Sequence, residues 1–215
     1  PKAADNHCPT PSGALNYSGT GGESHSITVK VNGDQKIEID ENFALNLSGI
    51  PAALSGRLSI QGSPAIVSIS NDDSGSISIT KTDGSETGPV SGSFTFSFPE
   101  GVSADALTTI HFGLSGTAIS GSDYTGAATS VSIPAGENSI TLTLPVENDA
   151  IAEGAESVVL TSGTVSSPYG ITVSNSPASL DITDNDQASV SISNASINEG
   201  QSGITTLDFS VTLDK

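Results

Sequence analysis

The sequence predicts an all-β fold, with antiparallel sheets packed as sandwiches and one complete repeat flanked by two partial repeats. The first observation behind this is period-two alternation. In Phe94-Thr95-Phe96-Ser97-Phe98 three rings share one face and two hydroxyls the other. Ile110-His111-Phe112-Gly113-Leu114, Ile140-Thr141-Leu142-Thr143-Leu144 and Leu207-Asp208-Phe209-Ser210-Val211 do the same. One dry and one wet face per strand is the mark of antiparallel sheets laid over a shared core. Second, no segment sustains a 3.6-residue period, so almost no helix is expected. Third, the chain repeats itself at a spacing of 113 residues, as from Ile69 to Ile182.

In chain order, residues 1–73 carry only the carboxyl-terminal part of a repeat. Gly22-Glu23 followed by Ile27-Thr28-Val29 matches Gly136-Glu137 followed by Ile140-Thr141-Leu142. Ile66-Val67-Ser68-Ile69-Ser70-Asn71-Asp72-Asp73 matches Ala178-Ser179-Leu180-Asp181-Ile182-Thr183-Asp184-Asn185-Asp186. Residues 74–186 form the complete repeat, with turns expected at Asp83-Gly84, Pro99-Glu100-Gly101, Ser120-Gly121-Ser122-Asp123 and Pro134-Ala135-Gly136. Residues 187–215 hold the first two strands of a further repeat, since Ala188-Ser189-Val190-Ser191-Ile192 matches Gly75-Ser76-Ile77-Ser78-Ile79 and Glu199-Gly200 falls near the place of Glu86. Neither partial repeat can close a sandwich alone, because each leaves an apolar face or an open edge uncovered.

Composition narrows the function. The chain has 215 residues with 24 acids against 6 bases, a net charge of -18, which argues against nucleic acids and anionic membranes as partners. The strong patterning of its apolar residues excludes disorder. No apolar run is long enough to span a membrane, and no signal peptide is legible, so the chain reads as a mature form or an excised piece. With Cys8 as its one cysteine it forms no internal disulfide, and a metal clip is another way to hold its loops.

Acids gather in one loop. Asp149, Glu153 and Glu156 crowd a short stretch between two expected strands, and Asp34, Glu38 and Glu41 form a weaker copy 115 residues upstream (34 to 149). Two unit charges about 4 Å apart cost on the order of 4 kcal/mol at an effective dielectric near 20. Calcium, which takes about six to eight oxygen ligands, removes that penalty. A single Asp83 or Asp105 reads as a turn cap; the repeated crowd reads as a calcium site assembled from distant loops, since no EF-hand pattern occurs.

Catalytic signals are absent. His111 alternates onto the wet face, His25 lies near a strand start and His7 in the amino-terminal tail. There is no Gly-x-Ser-x-Gly turn, no His pair at metal spacing and no phosphate loop. The expectation is a protein that is not an enzyme.

Gly116-Thr117-Ala118 with Gly121-Ser122-Asp123-Tyr124, then Pro134-Ala135-Gly136-Glu137, the acidic loop and Asp184-Asn185-Asp186 resemble the Calx-beta family, whose modules occur in sodium–calcium exchangers and many bacterial surface proteins. The resemblance implies a seven-stranded immunoglobulin-like sandwich with Ca2+ among the loops at one end. Carried over, the ligands of the complete repeat are Glu86, Asp123, Asp149, Glu153, Glu156, Asp184 and Asp186. In the first partial repeat they are Asp34, Glu38, Glu41, Asp72 and Asp73. The function expected is an extracellular structural or adhesive protein on a bacterial cell surface, made of calcium-stiffened repeats. The alternative is a calcium-sensing or ligand-binding module of a larger protein. The expected partners are neighbouring repeats, or copies of the chain itself joined head-to-tail into a filament by strand donation through Val190, Ile192, Leu207, Phe209 and Val211.

Overall fold

The computed structural model describes residues 13–214, so His7 and Cys8 lie outside the described residues. The chain divides into two compact units, residues 1–35 and 36–215. In the first unit the described residues form no strand. Its fixed point is Glu23, which accepts hydrogen bonds from the Ser18 amide and hydroxyl, both at 2.8 Å, and lies 3.0 Å from His25. The Tyr17 ring meets His25 edge-on at 4.6 Å.

The second unit contains β1 (Lys36–Ile37), β2 (Glu41–Leu45), β3 (Ala65–Ile69), β4 (Ser76–Thr82) and β5 (Gly84–Ser85). There follow β6 (Gly92–Ser97), β7 (Ser103–Ala104), β8 (Thr108–Gly116), β9 (Ser130–Ile133) and β10 (Ser139–Leu144). The last five are β11 (Glu156–Ser166), β12 (Thr172–Val173), β13 (Ala178–Thr183), β14 (Ser189–Ile192) and β15 (Val211–Asp214). One 3-10 turn, Ala52–Leu54, is the only helical element among the described residues, and none of their helices is long and apolar enough to cross a membrane.

The complete repeat is a two-sheet sandwich. One sheet runs β10-β6-β4-β12 and the other β5-β13-β11-β8-β9. The alternation seen in the sequence sets which side chains meet: Ile77, Phe94 and Phe96 from one sheet and Ile110, Ile133, Val158, Leu160 and Leu180 from the other are almost fully buried. Phe96 and Phe112 stack with ring centroids 5.6 Å apart. The outer faces carry hydroxyl pairs instead, such as Thr95–Thr141 and Thr109–Ser132, both at 2.9 Å.

Asp83-Gly84 is not a free turn. Gly84 is buried and opens β5, which pairs in parallel with β13, and Asp83 accepts hydrogen bonds from Lys81 and the Asp181 amide. A Cβ on Gly84 would stand 2.7 Å from Val146, so the chain can lie this close only without a side chain. Gly116 is tighter still: its φ is +129° and an added Cβ would fall 2.1 Å from the Ser157 carbonyl.

In the first partial repeat, β2 and β3 pair antiparallel, Phe43 opposite Val67. This hairpin is tied to the complete repeat through β1. Lys36 and Ile37 pair in parallel with Ser103 and Ala104 of β7, and the Ile37 carbonyl accepts the Asp105 amide at 3.0 Å. The buried Ile37 side chain sits against Gly75, where an added Cβ would come within 2.9 Å of it. The third repeat is a lone hairpin, β14–β15. A strand was expected at residues 207–211, but the ladder begins only at Val211. Among the described residues no other strand flanks the hairpin to fix its register, and the pairing lies two residues outward of the expected one.

Candidate metal centre

At one end of the complete sandwich, the ends of β5, β8 and β13 and the start of β11 bring six carboxylates into two groups. Glu86, Asp184 and Asp186 form one; Asp123, Glu153 and Glu156 form the other. Within each, one oxygen per residue lies within 4.8 Å of the others. The sheet registers explain the convergence: Glu156 pairs with Ile182 two residues before Asp184, and Ile182 pairs with Gly84 two residues before Glu86.

The loops are fixed mostly by backbone hydrogen bonds. Asp184 accepts the amides of Glu153 at 2.8 Å, Gly154 at 3.0 Å and Asp186 at 2.8 Å. These bonds hold its carboxyl below the ordinary carboxylate range. Asp123 is buried and takes the Ile119 amide, while the adjacent Tyr124 packs into the core and bridges to Val146. The Asn185 amide group donates to Asn148 at 2.6 Å, locking the acidic loop to the end of β13.

The remaining acids are held at a cost. Glu86 is only 4 % exposed, and its carboxyl is raised by desolvation and by the charges of Asp184, Asp149 and Asp186. Glu153 is raised by desolvation and by Asp123, Asp149 and Asp184. Glu156 is pushed up to about 7 by desolvation, by its hydrogen bond with Asp123, and by the charges of Asp123, Glu153 and Glu86. The only lysine or arginine of residues 74–186 is Lys81, whose ammonium sits 2.5 Å from both oxygens of Asp83.

Calcium fits these residues. Among the described residues, Glu86 Oε2 and Asp186 Oδ2 are buried without a hydrogen-bond partner, and both belong to one carboxylate group. Buried acceptors left unmatched are costly unless something else fills them, and an oxygen-seeking divalent cation does so.

The other residues expected as ligands are placed differently. Asp149 is in neither group; it accepts the Ile151 amide at 2.7 Å and acts on Glu86 and Glu153 through its charge. Asp34 lies in the first unit and has an interaction partner there or along the chain. Glu38 lies 3.9 Å from Lys36, and Glu41 opens β2. Among the described residues, Asp34, Glu38, Glu41, Asp72 and Asp73 join no group of three converging ligands. At the repeat spacing of 113 the residue in the place of Asp184 is Asn71, and it behaves as such: the Asp73 amide donates to Asn71 Oδ1 at 3.3 Å as the Asp186 amide does to Asp184. A count from the conserved spacing of Ile69 and Ile182 identifies this asparagine, whereas matching acid to acid passes over it.

The Calx-beta domain model matches residues 11–73 and 105–196. Among solved structures, the chain is similar to the apo form of the Calx CBD1 domain, with 18% identity and a TM-score of 0.40 over 51% of this chain and 98% of that one. It is similar to CBD12 from CALX1.2 at 15% identity and TM-score 0.38, over 52% of this chain and 45% of that one. For the calcium binding domain CBD12 of CALX1.1 the values are 18% and 0.39, over 52% and 42%. The match thus spans less than half the length of either CBD12 chain. No curated protein matches the sequence. With the family model covering most of both the first and the complete repeat, the chain belongs to the Calx-beta family.

Proposed function

We propose that the acidic end of the complete repeat binds Ca2+ and that the ions stiffen an extracellular, non-enzymatic structural or adhesive protein of a cell surface. The observation that carries this reading is the pair of three-carboxylate groups with two buried oxygens that lack a hydrogen-bond partner among the described residues, in a repeat whose one lysine, Lys81, is engaged by Asp83. Glu86, Asp184 and Asp186 would hold one ion and Asp123, Glu153 and Glu156 another, each ion supplying the positive charge this end lacks. Family membership supports the same metal. The hydroxyl-lined outer faces and the tandem arrangement support a structural role outside the cell, where modules with Kd of about 10⁻⁴–10⁻³ M work.

The proton balance provides the test. Glu156 has a folded-state value of about 7 against an ordinary 4.5, and Glu86 and Glu153 are also raised. Between those values the folded chain binds more protons than the unfolded chain, so metal-free stability falls as pH rises from about 4.5 to about 7. Asp184 is lowered, so its contribution is complete above 3.8 and is lost only under stronger acid. Thermal unfolding in chelator is therefore expected to show a lower Tm at pH 8 than at pH 5.5, and calcium is expected to reverse that order. A Tm that rises with pH in chelator, or one that calcium leaves unchanged at pH 8, contradicts the reading.

A further inference from the structure

We propose that the joint between the first and the complete repeat is locked without an ion, so that calcium acts on the far end of the complete sandwich and leaves this joint unchanged. Ile37 is 3% exposed and belongs to the same buried core as Phe98 and Ala104. It fills a socket at the start of β4. An added Cβ on Gly75 would meet Ile37 at 2.9 Å, Phe98 at 3.2 Å and Val102 at 3.3 Å. The rim of that socket is fixed by its own repeat: the Asn138 amide group donates to the Pro99 and Val102 carbonyls, both at 2.8 Å. The Gly136 amide donates to the Ala104 carbonyl at 2.8 Å. The β1–β7 ladder and the Asp105 amide on the Ile37 carbonyl then hold the backbone. None of these contacts uses a carboxylate.

The loop that carries Ile37 is secured by a hydrogen bond that runs opposite to its counterpart. In the complete repeat the loop amides of Glu153 and Gly154 donate to the Asp184 carboxylate at the end of β13. In the first repeat the strand-end amide of Asn71 donates instead to the loop carboxylate of Asp40, at 3.0 Å. At the loop spacing of 115, Asp40 stands where the complete repeat has Ala155, whose side chain has no oxygen to accept. Ile37 stands where it has Ala152, so the plug is peculiar to the first loop. The Asn71 side chain brings its own donor, which goes to the Asp73 carbonyl at 3.1 Å, while its oxygen takes the Asp73 amide at 3.3 Å. A neutral side chain thus ties this strand end, where Asp184 adds a charge to a crowd that calls for a cation.

The socket and the acidic end lie at opposite ends of the complete sandwich. Gly75 precedes β4 and Glu86 follows β5, so the seven residues of β4 separate them by roughly 23 Å at about 3.3 Å per residue. An ion held by Glu86, Asp184 and Asp186 is too far from the socket to touch it. The first and complete repeats therefore act as one stiff pair at any calcium concentration, and the metal acts only at the end where Asp186 leads into the next repeat.

Amide hydrogen exchange followed by NMR on the full chain tests this. The Asp105 amide, bonded to the Ile37 carbonyl, reports the joint, and the Glu153 amide, bonded to Asp184, reports the acidic end. Asp105 is expected to exchange at the same rate in calcium and in chelator, while Glu153 slows in calcium. Asp40→Ala is expected to speed Asp105 exchange several-fold in chelator, the worth of one hydrogen bond, with the Glu153 amide and the β8–β11 ladder unchanged. Ile37→Ser is expected to speed it by about tenfold or more. Both variants are read in chelator, so their outcome stands whether or not the acidic end takes up the metal. Asp40 is exposed, so its variant keeps the test if Ile37→Ser unfolds the whole sandwich. An Asp105 amide that calcium protects overturns the proposal, as does one that exchanges at the wild-type rate in either variant.

Discussion

Calcium at about one hundred times its Kd is expected to raise the unfolding free energy by about 2.7 kcal/mol per site, hence about 5 kcal/mol for two sites. Stabilisation on this scale approaches the whole stability of a marginal domain. It arises because the metal-free fold confines Glu86, Asp123, Glu153, Glu156, Asp184 and Asp186 at one end of a sandwich whose only lysine or arginine is engaged by Asp83. Glu86→Gln separates the cost of that charge from the benefit of the ion. In chelator the variant is expected to be more stable than the parent, because a buried carboxylate repelled by Asp184, Asp149 and Asp186 becomes a neutral amide of the same shape. In calcium it is expected to recover only about half the parent's gain, since one group has lost a ligand. Denaturant titration followed by circular dichroism measures both; a variant destabilised equally in the two buffers would assign Glu86 a packing role instead.

Phe96→Ala is expected to cost about 3–5 kcal/mol with or without calcium. The ring is fully buried, stacks on Phe112 across the sandwich, and sits on β6 between Ile79 of β4 and Ile140 of β10. Removing it leaves a cavity that both sheets border, and neither can collapse without breaking its ladder. Phe209→Ala makes the contrast. It stands at the same place in the repeat but is 55% exposed, so in the dilute chain its loss is expected within about 0.5 kcal/mol. The same chemical change thus reads burial twice in one protein, by thermal unfolding of the two variants side by side.

Much of the sandwich was legible because alternation is a local signal with a fixed period. The strands containing Phe94, Ile110 and Ile140 lie where that period places them. Two-residue strands such as β1, β5 and β7 are too short to show any period, and their existence depends on partners far away in sequence. Ile37 illustrates this: beside the acidic loop it reads as an ordinary apolar residue, yet it plugs the base of the next repeat. The expected strand at residues 207–211 forms only at its last residue because a register needs a neighbour to enforce it.

The site was partly legible in the same way. Six acids named from sequence do converge, but their division into two groups is set by the β11–β13–β5 register, which composition does not encode. Asp149 shares their loop yet turns its carboxylate to the Ile151 amide. Asn71, at the place of Asp184, was hidden by the acids that follow it.

Titration calorimetry at neutral pH tests the central claim most directly. The acidic end is expected to take up two Ca2+ per complete repeat with release of protons, because Glu156, held near 7, must ionise to bind. Asp186→Asn is expected to abolish one binding event and Glu153→Gln the other. Absence of calcium heat in the parent chain, or a stoichiometry that neither substitution changes, would contradict the assignment.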